Sequence, residues 1–91
     1  MEFKHTKGRI YTEDENGKLL AEITFPTVAK GICDLNHTFV DASLRGQGIA
    51  EKLIRAAIDQ IKKDGLKTKT TCSYAKKWFE QNEKEKDVLV K

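Results

Sequence analysis

Ninety-one residues, 38% of them hydrophobic, make one small domain with a single modest core, so residues 1–91 are read as one unit. No apolar run is long enough to cross a bilayer, and Met1-Glu2-Phe3-Lys4-His5 has no signal-peptide core, so the expectation is a cytoplasmic protein with no membrane partner. Cys33 and Cys72 are too few and too far apart for a secreted disulfide framework, and a net charge of +3 is too mild to argue for nucleic acid.

In chain order, Arg9-Ile10-Tyr11-Thr12 is a short β-prone run within Gly8 to Glu13. Asn16-Gly17 follows, a strong hairpin signal between two such runs. Leu19 to Phe25 reads as the second strand, with Leu20, Glu22 and Thr24 on one face and Leu19, Ala21, Ile23 and Phe25 on the other. Pro26 stops it or marks a bulge. A third strand is expected from about Gly31 to Val40, with a bulge near Asn36-His37 where the alternation breaks.

Asp41-Ala42-Ser43 leads into Leu44-Arg45-Gly46-Gln47-Gly48-Ile49-Ala50, a glycine turn. Ile49, Leu53, Ile54, Ala57, Ile58 and Ile61 then mark one face of a helix from about Gln47 to Lys63, closed by Gly65. Leu66 to Cys72 reads as a fourth strand, joined to the third by a right-handed crossover and parallel to it. Ser73 is a candidate cap for a second helix from Tyr74 to about Asn82, with Ala75, Trp78, Phe79 and Asn82 on its buried face. Glu83 to Asp87 is charged and expected to be mobile, and Val88-Leu89-Val90 either adds a short strand or packs. The predicted fold class is α/β (α+β), a mixed sheet with an antiparallel front half and parallel strands around the glycine-led helix.

The turn is the chemically informative stretch. Glycines let it bend sharply and remove Cβ atoms that would keep a ligand from the backbone. The first N–H groups of a helix have no intrahelical partner, the dipole makes that end positive, and Arg45 adds a full charge. Such a start is suited to a phosphate or pyrophosphate. A dinucleotide-binding turn would need Gly or Ala at position 51, where Glu51 stands, and no Gly-Lys-Ser/Thr of a P-loop occurs.

Val40-x4-Arg45-Gly46-x-Gly48-x-Ala50, between a strand and an amphipathic helix, resembles the R/Q-x-x-G-x-G/A acyl-CoA signature of the GNAT N-acetyltransferase superfamily. The resemblance runs over roughly residues 19 to 82 and is closest to very small GNAT-like proteins without the N-terminal strand and helices of full-length members. It implies acetyl-CoA as co-substrate, no metal, and a small-molecule or protein acceptor of unknown identity. Backbone groups of Leu44, Arg45, Gly46, Gln47, Gly48, Ile49 and Ala50 would hold the pyrophosphate. Phe39 and Val40 would hydrogen-bond the pantetheine arm as an extra strand. Full-length members often carry Asn at the end of the following strand, Ala three residues on and a Tyr acid seven residues on. Here these are Cys72, Ala75 and Phe79, so the usual acid is absent.

Cys72, at a strand end beside a helix start in a lysine-rich segment, is the candidate nucleophile; the alternative is a half-buried packing thiol. His37 is a candidate general base, set against a histidine that merely bonds a loop, and Glu22 is a second base candidate. Cys33 reads as core. Cys33, His37 and Cys72 lack the paired spacing of a zinc site. Two functional readings follow: a minimal acetyltransferase acting on an amine or thiol, through Cys72, or a non-catalytic CoA or acetyl-CoA sensor. A third, RNA contact through the lysine-rich end (nine Lys against five Asp/Glu in residues 62–91), predicts steeply salt-dependent binding that ignores CoA.

Overall fold

The computed structural model describes residues 2–90. In chain order its strands are β1 (Lys4–Thr6), β2 (Arg9–Glu13), β3 (Leu19–Thr24), β4 (Thr27–Ala29), β5 (Ile32–Leu35), β6 (His37–Val40) and β7 (Lys67–Thr70). Helix α1 (Ile49–Lys63) lies between β6 and β7, and α2 (Ser73–Gln81) follows β7. Short 3-10 turns cover Ala42–Leu44 and Glu83–Val88. The strands form two sheets, β1-β2-β3-β6, all antiparallel, and β4-β5-β7, in which β5 and β7 run parallel. The mixed α/β class expected from the sequence is the one observed.

Two strands differ from the sequence reading, for one shared reason. Residues 31–40 are not one bulged strand but two, β5 and β6, in different sheets. Their break at Asn36 faces the break at Phe25-Pro26 between β3 and β4: Asp34 N–H reaches the Pro26 carbonyl, and Asn36 N–H reaches Thr24. Proline has no N–H to continue a ladder, so the strand pair bends together at this level. Consequently, among the described strands, β7 is laddered with β5 and β6 with β3, so the strands part beyond Leu35 and Thr70.

The hairpin at Asn16-Gly17 forms as expected, tied by Asp14, whose carboxylate accepts from the N–H groups of Asn16 and Lys18. Edge strands β1 and β4 carry no apolar alternation, and the sequence reading omitted both; each is held by register with a neighbour, Thr6 against Arg9 and Thr27 against Cys33. Helix α1 buries Ile49, Leu53, Ile54, Ala57, Ile58 and Ile61 against Ile10, Ala21 and Ile23 of the front sheet. Full burial stabilises each large apolar side chain by about 1.5–3 kcal/mol, which is what holds the helix in place. It ends in a Schellman motif, with Gly65 N–H on Lys62 and Leu66 N–H on Ile61.

Helix α2 begins one residue earlier than its expected cap allows. Ser73 is its first helical residue, and Cys72, in extended conformation, occupies the cap position. Ala75, Trp78 and Phe79 are buried as expected, while Asn82, at the helix end, is half-buried. Residues 83–88 coil into a 3-10 turn, with Lys62 near both Glu85 and Asp87. Val88 packs into the core and Leu89 bridges Thr68. Among the described residues, no helix is long and apolar enough to cross a membrane.

Candidate active site

The connection from β6 to α1 joins a tight polar turn to an open helix start. Asp41 accepts from the Ser43 N–H and hydroxyl, closing the 3-10 turn before the glycines. The Ser43 bonds, with Lys18 nearby, hold its carboxyl below the usual carboxylate range. Gly46 and Gly48 then take left-handed conformations, φ +82° and +70°. Gly48 is the α1 cap residue and provides no side-chain acceptor, so the helix's first N–H groups stay open. A Cβ at either glycine meets no protein atom within 4 Å, which leaves that space for a ligand.

A cavity of about 270 Å³ lies over this turn, lined by Val40, Leu44, Arg45, Gly46, Gly48, Ile49, Ala50, Glu51 and Tyr74. Seven of these nine are residues expected from sequence. Arg45 makes no ion pair with a described residue, so its charge is available there. Gln47 belongs to the turn but does not line the cavity.

The free edge of β6 runs from this cavity toward Cys72. Asp41 N–H bonds to Leu20, which makes Ala21 and Val40 a non-hydrogen-bonded pair and Glu22 and Phe39 a hydrogen-bonded one. The backbone groups of Phe39 are therefore directed at β3. Those of Thr38 and Val40 point into the gap. The backbone groups free for an edge contact are those of Val40 and Thr38, and the Phe39 side chain faces the other side of the sheet, partly exposed.

Cys72 stands across the gap. Its N–H bonds to Leu35, where the strands part, and its Sγ lies 3.5 Å from Thr38 Oγ1. The thiol is half-buried. Next to it, Thr71 donates its hydroxyl to Asp34. His37 is not on this side. Thr38 faces Cys72, and adjacent strand residues point to opposite faces, so His37 faces the far side of the sheet. There its Nε2 lies 3.6 Å from Glu22 Oε1, and Glu22 also pairs with Arg9, which stacks on Tyr11. Glu22 and His37 are thus neighbours, on the face away from Cys72. Cys33 is buried, as expected, with its thiol toward the Lys67 carbonyl, and burial raises its pKa. No three His, Cys, Asp or Glu gather among the described residues.

The structure adds Glu51 and Tyr74 to the lining of the cavity. Tyr74 lines the cavity, and its hydroxyl is kept protonated by burial first, then by Glu51 and Cys72. Glu51 accepts from the Trp78 indole at 2.9 Å and from Arg55 at 2.9 Å. Spacing alone placed Tyr74 five residues away from the family's Tyr position. What it could not show is that the first turn of α2 packs over the start of α1.

Residues 9–88 match the profile of GCN5-related N-acetyl-transferases. Protein NATD1 from Gallus gallus and from Homo sapiens is 40% identical over 62 residues, covering 68% of this chain and 56% and 55% of theirs. The chain thus spans little more than half the length of these relatives. A GCN5-like protein from Staphylococcus aureus, solved by NMR in solution, superimposes with a TM-score of 0.81 at 32% identity, over 98% of this chain and 87% of its own. The GNAT family N-acetyltransferase YhbS from Escherichia coli, crystallised with CoA, shares the fold at TM-score 0.59 and 20% identity, over 68% of this chain and 38% of its own. On its sequence and its fold, the chain belongs to the GCN5-related N-acetyltransferase family.

Proposed function

We propose that the chain binds acetyl-CoA over the turn of residues 44–50 and passes the acetyl group to an amine or thiol acceptor by way of Cys72. One observation carries this reading: an open helix start, an unpaired strand edge and a thiol border the same gap. Pyrophosphate fits the N–H groups of α1 with Arg45 beside them. The pantetheine amides fit the outward groups of Thr38 and Val40, which brings the thioester to Cys72.

The Cys72 thiolate attacks the thioester carbonyl carbon. The carbon–sulfur bond to CoA breaks, and acetyl remains on Cys72. The departing CoA thiolate takes a proton. Phe79 has no hydroxyl and sits in the core, so Tyr74, the phenol at the cavity, is assigned as donor. The acceptor then attacks the S-acetyl carbon, the carbon–sulfur bond to Cys72 breaks to release its thiolate, and the acceptor's proton returns to the Tyr74 phenolate.

The buried Phe79 also supports the second reading, a CoA sensor without turnover. Amide NMR titration with acetyl-CoA, beside CoA and ATP, tests binding: shifts at residues 38–50 and near Cys72 with acetyl-CoA but not ATP are expected. No shift at millimolar ligand removes the reading. Intact mass after incubation with acetyl-CoA separates enzyme from sensor. An acetyl adduct that disappears in Cys72→Ala supports the enzyme; binding with no adduct on the wild type supports the sensor.

A further inference from the structure

We propose that Thr38 is the positioning residue of the Cys72 sulfur, its hydroxyl donating across the gap to the thiolate that attacks the thioester. The inference rests on the acetyl-CoA reading above and names the group that readies its nucleophile.

Two partners compete for a side chain at the Cys72 position. Cys72 is the cap residue of α2, and a cap side chain ordinarily turns to the open N–H groups of its own helix. The thiol makes no such bond. It reaches instead from the end of the back sheet to β6 of the front sheet, where its Sγ lies 3.5 Å from Thr38 Oγ1. Both ends of this contact are fixed by backbone. Register with β3, Ile23 opposite Thr38, turns the Thr38 side chain to the face that carries Ile23. The N–H groups of Thr71 and Cys72 both bond to the Leu35 carbonyl, which anchors the backbone under the sulfur.

A hydroxyl is both acceptor and donor. In the thiol form Thr38 accepts from the S–H; once the thiol is ionised, the hydroxyl turns and donates to the sulfur, a charge-assisted bond. The other groups around the sulfur have other work. Tyr74, on α2, keeps its proton through burial first and then through Glu51 and Cys72, and it is the donor to CoA. Asp34, on β5, is held by the Thr71 hydroxyl, and its carboxylate repels a thiolate. The Thr38 bond acts twice in the reaction. It holds the thiolate before attack on the thioester carbon, and it receives the thiolate again when the acceptor breaks the carbon–sulfur bond to Cys72.

Alkylation of Cys72 by iodoacetamide, followed by peptide mass across pH, tests the contact without acetyl-CoA; Cys33 is buried and serves as the unreactive reference. Thr38→Val keeps the branched shape and strand preference and removes the hydroxyl. Its profile should move to higher pH by about one unit, the order of a charged hydrogen bond to a weak sulfur acceptor. A less stabilised thiolate is also the stronger nucleophile, with a Brønsted slope of about 0.4–0.5. The two profiles should therefore cross, Thr38→Val reacting about threefold slower on the acid side and about threefold faster on the alkaline plateau. Thr38→Ser should restore the wild-type profile. At saturating acetyl-CoA on the acid side, formation of the acetyl adduct should slow likewise in Thr38→Val, with affinity for acetyl-CoA kept, since that uses the Thr38 backbone. A profile that changes height but not position, or one that Thr38→Ser leaves displaced, overturns the role of Thr38 and leaves the acetyl-CoA reading intact. Crossing profiles in a protein that binds no acetyl-CoA overturn that reading and remove Thr38 from the reaction.

Discussion

The two helices start differently, and in the proposed reaction the difference separates binding from chemistry. Both α1 and α2 lack a side-chain cap. At α1 the cap residue is Gly48 in left-handed conformation, with Gly46 also left-handed before it and Arg45 alongside. At α2 it is Cys72 in ordinary extended conformation. One start gives up a cap and leaves bare backbone open. The other gives up a cap to keep a thiol at the parting of two strands. In each case a common capping residue, Ser, Thr, Asp or Asn, would stabilise the helix more, and the residue present is instead suited to the proposed reaction.

The largest expected effect lies at the first start. Arg45→Ala should weaken acetyl-CoA binding by about 1.5–3 kcal/mol, the usual contribution of a charged hydrogen bond. Calorimetry measures it, and unchanged affinity would remove Arg45 from the site. Gly48→Ala should destabilise the fold by about 1–2 kcal/mol, because an L-residue resists left-handed φ. Since the added Cβ meets no protein atom within 4 Å, strain is the whole cost without ligand; an unchanged denaturant midpoint would refute that account.

At the second start the sign reverses. Cys72→Ser supplies an oxygen able to cap α2 and should raise stability by about 0.5–1 kcal/mol, while the acetyl adduct disappears from the mass spectrum. A less stable Cys72→Ser protein would show that the thiol contributes packing, and the contrast between the two starts would lose its basis.

The smallest effect concerns the approach to α1. The folded state holds the Asp41 carboxyl below its ordinary range. Its contribution is therefore complete above the unfolded pKa and is lost as pH falls through the folded one, in the acid range beneath ordinary carboxylates. The Ser43 amide, bonded to Asp41 at 3.1 Å, should report that loss as an NMR shift change on acidification. Asp41→Asn should abolish the acid transition.

Local chemistry settled much of this protein in the sequence. The amphipathic period of α1, the Asn16-Gly17 turn and the glycines before α1 were legible because each depends on neighbouring residues alone. The residues lining the cavity over the turn came with them, since a helix start and its preceding turn are one local unit. What the tertiary structure decided depends on pairing. The split of residues 31–40 into β5 and β6 follows from a bend shared with Pro26, on another strand. Which backbone groups of β6 face the gap follows from register with β3, so Thr38 rather than Phe39 borders the gap. Placing His37 with Glu22 and away from Cys72 follows from strand parity counted after the break at Asn36. The presence of Tyr74 over the cavity follows from α2 packing on α1, a contact between residues more than twenty positions apart that no local spacing encodes.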